Sequence, residues 1–187
     1  MGILVEHLKA KLRRRIRTDN GNVALNENCE RFEVNNWVVS EFVAYELIPV
    51  VGVHPYPLSE LCLMTAAVAA LKPTHIFEWG TNLGKSARIF YEAARRFGVT
   101  CQIFSIDLPD EVDHIEHPHE KRGMFVKRLN GVTLLLGDGL ATSLKLCREQ
   151  NRDDRFAPLF FIDGDHSYES VHRELSAVVT EVPEAHI

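Results

Sequence analysis

The residues from Glu78 to Ser86 read EWGTNLGKS, and the spacing of their glycines decides what they could hold. A triphosphate loop needs four residues between its first glycine and a closing Gly-Lys-Ser/Thr. Gly80 and Gly84 enclose only three, and the residue that would restore the count is Trp79, too bulky for a backbone nest around phosphate. On the other side, LFFID ends at Asp163 and would pass as a metal-holding acidic strand, so the triphosphate reading stays open. A dinucleotide fingerprint fails at its middle glycine, because position 82 is Asn. What remains is E-x-G-x-x-x-G-x-S over Glu78, Gly80, Gly84 and Ser86, with Thr81 and Asn82 inside the loop. Gly80 lets the chain turn sharply off a strand, and Gly84 lets the loop and helix start come close to a ligand. Glu78 stands at a strand's carboxyl end, beside the crevice where open α/β sheets bind ligands. Lys85 reads as a solvated residue of the helix's first turn.

Further acids follow at successive strand ends. Asp107 closes SID, 23 residues after Gly84, where a carboxylate can accept both hydroxyls of a ribose and would repel a phosphate. Gly137 and Asp138 close LLLGDG. One strand-end Asp is as readily a helix N-cap, and for Asp138 alone the two readings are even. Acids at three neighbouring strand tips are harder to explain as caps, and they suit a cationic ligand. Asp163-Gly164-Asp165 also matches the D-x-D of sugar-nucleotide transferases, which hold Mn²⁺ through diphosphate, but the glycine loop has no part in that reading. His114, His117 and His119 could form a transition-metal site; a polar loop leading to Pro118 is the preferred reading.

The Glu78–Ser86 motif resembles motif I of class I S-adenosylmethionine-dependent methyltransferases. IDGDHSYESVHREL, from Ile162 to Leu175, resembles the D-G-D-H-S-Y-E segment of a methyltransferase subfamily related to the catechol O-methyltransferase and cephalosporin hydroxylase groups. The resemblance runs from Ser59 to Val179. It implies S-adenosylmethionine as cofactor, held by Glu78, Gly80, Thr81, Asn82, Gly84, Ser86, Asp107, Gly137, Asp138 and Asp163, with Asp138 where an acid accepts from the adenine amino group. It implies methyl transfer to a hydroxyl of a small molecule. In metal-dependent relatives an acid at the position of Asp163 binds Mg²⁺, with more ligands after the next strand, so Mg²⁺ is an allowed second cofactor with Asp163 as its ligand. Asp163 and His166 are the candidate catalytic residues. His166 is either a general base or a helix-start histidine packed near adenine, and Asp165 is either a ligand or a cap. A cofactor-binding or interaction domain without catalysis is the rival reading.

These residues need a scaffold that lines up strand ends. Short apolar strands alternate with helices: strands over 75–79, 100–107, 132–138 and 159–165, and helices over 85–97, 118–129, 140–150 and 168–180. Such alternation predicts right-handed crossovers and a parallel sheet. The expected fold is α/β, a Rossmann-like doubly wound parallel sheet of the methyltransferase type, cut off at a fifth strand that starts near Ala185. Helices precede it: 3–17, 34–47 ending near Pro49, and 60–71 capped by Ser59. Residues 1–58 read as an N-terminal helical extension and 59–187 as the cofactor-binding domain.

The chain has 187 residues, 45% hydrophobic and 25% charged, as expected of one soluble domain. Net charge is −5, with 21 Lys and Arg against 26 Asp and Glu. Residues 1–17 carry six of the cations and one acid, which leaves the remainder strongly acidic and argues against a general nucleic-acid surface. No apolar run is long enough to span a bilayer, and Cys29, Cys62, Cys101 and Cys147 lack metal or redox spacing. These features predict a cytoplasmic protein with neither nucleic acid nor membrane as partner, and the resemblance implies a small-molecule substrate. A strand edge near Ala185 would need cover, which allows a homo-oligomer.

Overall fold

The structure, a computed structural model, describes residues 35–112, 119–150 and 156–187. The expected helix over 3–17, Cys29, His114, His117 and the side chain of His119 lie outside the described part.

The sheet has four parallel strands: β1 (His75–Trp79), β2 (Gln102–Asp107), β3 (Val132–Leu136) and β4 (Pro158–Ile162). Their spatial order is β3-β2-β1-β4. Consecutive strands step one way from β1, and the chain then crosses back to place β4 on its other side. Ligands of open α/β sheets bind at the carboxyl ends of strands where the order reverses in this way. β1 is one of the two inner strands, buried along its whole length, and HIFEW carries the largely apolar character of a strand covered on both faces. Beyond β4, Leu159 forms a parallel bridge with His186, with His186 donating to Pro158 O and accepting from the amide of Phe160.

Two apolar layers follow from the alternation of side chains along the strands. Ile76, Ile103 and Leu159 face one side, packed against α1 (Asn36–Val51), α2 (Leu58–Leu71) and α3 (Lys85–Phe97). Phe77, Trp79, Phe104, Ile106 and Phe160 face the other, against α4 (Gly139–Gln150) and α5 (Tyr168–Glu181). This is the doubly wound arrangement that the sequence predicts. α1 starts as an α-helix over Asn36–Phe42, widens into a π-type stretch over Val43–Leu47 and finishes over Ile48–Val51. Its Val39, Phe42, Val43, Leu47 and Val51 are buried in the first layer beside Leu61 and Ile89. Among the described residues no helix is long and apolar enough to cross a membrane.

Several local expectations change. The helix expected to end near Pro49 runs through it to Val51. A proline inside a helix lacks its donor and crowds the carbonyl four residues back, and the wider turn just before it relieves that crowding. Ser59 does not cap α2, which starts at Leu58 after Pro57 and has no side-chain cap. The helix expected over 118–129 is reduced to a single 3₁₀ turn at His119–Lys121. Gly123 has φ of 63°, and its amide donates to Asn82 O, as that of Phe125 does to Leu83 O. Those amides are committed to the glycine loop and are lost to an i→i−4 ladder.

Candidate functional site

A cleft of about 920 Å³ opens over the carboxyl ends of the strands, within the range of ~300–1,000 Å³ typical of small-molecule sites. The loop between β1 and α3 forms its floor. Gly80 turns off β1 with φ of 89°, and a Cβ there would sit 2.4 Å from the carbonyl oxygen of Asp163. Glycine is therefore required for the loop to pass the Asp163 backbone, just beyond β4, at that distance. Gly84 has φ of 81°, and a Cβ there would meet Val126 at 2.8 Å and Gly123 at 3.1 Å. Its closeness serves the 123–126 turn, a correction to the reading in which it admits a ligand. Gly84 is absent from the cleft lining, whereas Gly80, Thr81, Asn82 and Ser86 line it. Asn82 takes the left-handed conformation, with φ of 44°, and Thr81 pairs its hydroxyl with that of Ser105 at 2.7 Å.

Glu78 does not reach the cleft surface. It is fully buried, on the face of β1 turned toward α3. Ser86, itself on the cleft wall, donates to Glu78 Oε1 at 2.5 Å. Glu78 Oε2 has no hydrogen-bond partner among the described residues. Burial raises the carboxyl pKa to about 7, with the charges of Asp163 and Asp107 adding to the rise and the hydroxyls of Ser105 and Ser86 opposing it. The acids at the strand ends thus feel one another.

Asp107 and Asp138 both line the cleft. Asp107 Oδ1 accepts from the amide of Leu108 at 3.0 Å, and Oδ2 from Arg122 Nε at 2.9 Å. Arg122 also pairs with Asp110. Asp138 Oδ1 accepts from the amide of Ala141 at 2.7 Å, so it caps α4 and faces the cleft at once. The two readings of this residue are compatible. Gly137 lines the cleft beside it.

At the other end, Asp163 Oδ2 accepts from Tyr56 Oη at 2.8 Å, and its Oδ1 lies 3.8 Å from Nε2 of His166, a largely exposed side chain. Burial first, and then the charge of Asp163, push the Tyr56 phenol well above its ordinary pKa, so it stays a donor. Asp165 accepts from the amide and hydroxyl of Ser167 and from the hydroxyl of Ser170. These bonds lower its pKa, that of Ser170 most, and they make Asp165 a support for the start of α5. Lys85 is half-buried and donates to His54 O at 2.5 Å, which corrects the reading of a solvated side chain. The amides of Gly80 and Gly84 donate to Ile106 O and Thr81 O. With both glycine amides and the lysine engaged, the loop is not arranged as a phosphate nest.

The allowed metal role of Asp163 finds no ligand set: among the described residues, no group of three or more His, Cys, Asp or Glu side chains could hold an ion. Sequence reasoning missed Tyr56, Arg122 and Glu174, all of which line the cleft. The only signal for Tyr56 was its place between Pro55 and Pro57, which marks a rigid bend and says nothing of where the bend lies.

A family described as a methyltransferase domain matches residues 77–184, more than half of the chain. No curated protein matches the chain, and no solved structure does.

Proposed function

We propose, from the premise that this chain belongs to the methyltransferase-domain family, that the cleft binds S-adenosylmethionine and serves methyl transfer to a hydroxyl oxygen of a small molecule. The observation that carries the reading is the set of acids around the glycine loop at the sheet's reversal point: Asp107, Asp138 and Asp163 on the cleft, with Glu78 buried just behind Ser86. A ligand with an ammonium and a sulfonium gains from that field, and a polyphosphate is opposed by it. When bound, the cofactor supplies an activated methyl group.

The chain's own residues then have separable tasks. Asp107, held by Leu108 N and Arg122, presents a fixed carboxylate for a ribose diol. Asp138 stands at the next strand end for the base. Tyr56 fixes one oxygen of Asp163 and leaves the other toward His166. His166, open to solvent at the cleft mouth, takes the proton of the acceptor hydroxyl, and Asp163 stabilises the imidazolium that forms.

Calorimetric titration of the whole chain with S-adenosylmethionine, S-adenosylhomocysteine and ATP tests the reading. Binding of the two sulfur nucleosides and silence with ATP is the expected result. Tight ATP binding with no heat from the others would overturn it. Binding without transfer to any hydroxyl acceptor in a broad screen would move the chain to the non-catalytic class.

A further inference from the structure

Residues 52–57 join α1 to α2 along the cleft, between the buried Val51 and Leu61. Five of the six are exposed, and only Tyr56 packs against the core. His54, Pro55 and Tyr56 line the cleft. Two polar contacts hold the segment there: Tyr56 Oη donates to Asp163 Oδ2 at 2.8 Å, and Lys85 Nζ donates to His54 O at 2.5 Å. The Tyr56 ring adds an edge-on contact with Phe161 at 6.3 Å. Gly52, at the start, has φ of 74° and ψ of −169°, a region nearly confined to glycine, and a Cβ there would meet nothing within 4 Å. Pro55 and Pro57 fix φ in the far half. The segment is thus a stiff strap with an unpacked joint at one end and a few side-chain contacts to keep it shut.

We propose that this strap is a gate: ligand enters and leaves the cleft when Tyr56 parts from Asp163, and the site is competent when the two are joined. The proposal rests on the S-adenosylmethionine reading above for its probe. Tyr56 reaches from the strap to a residue just past β4, so its bond ties two walls of the cleft together. The side chains of Asp163 and His166, 32% and 80% exposed, put that tie on the solvent side. The same bond sorts the oxygens of Asp163, leaving Oδ1 toward His166 Nε2. Opening loses that arrangement, so closure also completes the pair that handles the acceptor proton. Tyr56 precedes residues 77–184, which match the family, and the gate belongs to the segment that leads into them.

Stopped-flow binding of S-adenosylhomocysteine to the whole chain, followed by the emission of the cleft-lining Trp79, tests the gate against a contact role. Tyr56→Phe keeps the ring beside Phe161 and removes the tie. A hydrogen bond to a charged group is worth about tenfold or more in an equilibrium. Association and dissociation rate constants should therefore both rise about tenfold, with Kd within about twofold of the native value. Lys85→Met, which removes the other tie, should move both rates in the same direction and serves if Tyr56→Phe folds poorly. Unchanged rates overturn the proposal. So does faster dissociation alone, the mark of a lost ligand contact, and either result leaves the cofactor reading standing. If the nucleoside does not bind the native protein at all, both fall.

Discussion

Glu78 shows how one buried carboxyl ties the site to stability. Its pKa in the folded protein is about 7, against 4.5 for the free side chain. Between those values the folded state keeps a proton that the unfolded chain has lost, so this residue's contribution to stability falls as pH rises through that window. The full swing is about 3 kcal/mol. Glu78→Gln removes the titration. Urea denaturation of both proteins should show the variant gaining on the native chain by that order from about pH 5 to about pH 8. A stability difference that stays flat with pH would show that Glu78 titrates normally. Tyr56 and Arg122 act on the same scale, each fixing an oxygen of a strand-end acid. Neither was legible in the sequence, because the partners lie far along the chain: Tyr56 is 107 residues from Asp163, and Arg122 is 15 from Asp107. The acids themselves were legible, since strand ends can be read from local apolar runs.

Among the elements, the glycine loop is the joint on which the site turns. Gly80 packs against the backbone of Asp163 and Gly164, just past β4, in a conformation that side chains resist. Gly80→Ala would force the loop off the Asp163 carbonyl, and the expected loss is roughly 3 kcal/mol in chemical denaturation. A loss below about 0.5 kcal/mol, as at ordinary surface sites, would mean that the loop moves aside freely. The four strands and the helices over 85–97, 140–150 and 168–180 were readable because each has its own period and ends. The segment over 118–129 was not. Its apolar spacing suits a helix, but Gly123 and Phe125 give their amides to residues 82 and 83, and no local pattern reports a donation across some forty positions. The π-type stretch before Pro49 escaped for a related reason: the proline reads as a stop until a wider turn makes room for it.

At the scale of the whole molecule, the sheet separates two cores, and α1 belongs to one of them. Phe42 lies in that helix with 2% exposure, edge-on to Phe97 at 5.7 Å. Phe42→Ala should cost about 3–5 kcal/mol, as for other large core truncations, measurable as a lowered unfolding midpoint. A cost near zero would mark residues 36–51 as an appendage to a domain that starts later. The two tryptophans of the chain divide in the same way. Trp37 is 83% exposed. Trp79 is 3% exposed, donates to Ser143 Oγ at 2.7 Å and closely abuts Gly139, beside the cleft it helps to line. The molecule thus carries two fluorophores in opposite surroundings. Iodide should quench the red-shifted emission of Trp37 and spare the blue component from Trp79. Filling the cleft should perturb only the blue component, so occupancy can be read optically, without a label and before any acceptor is known.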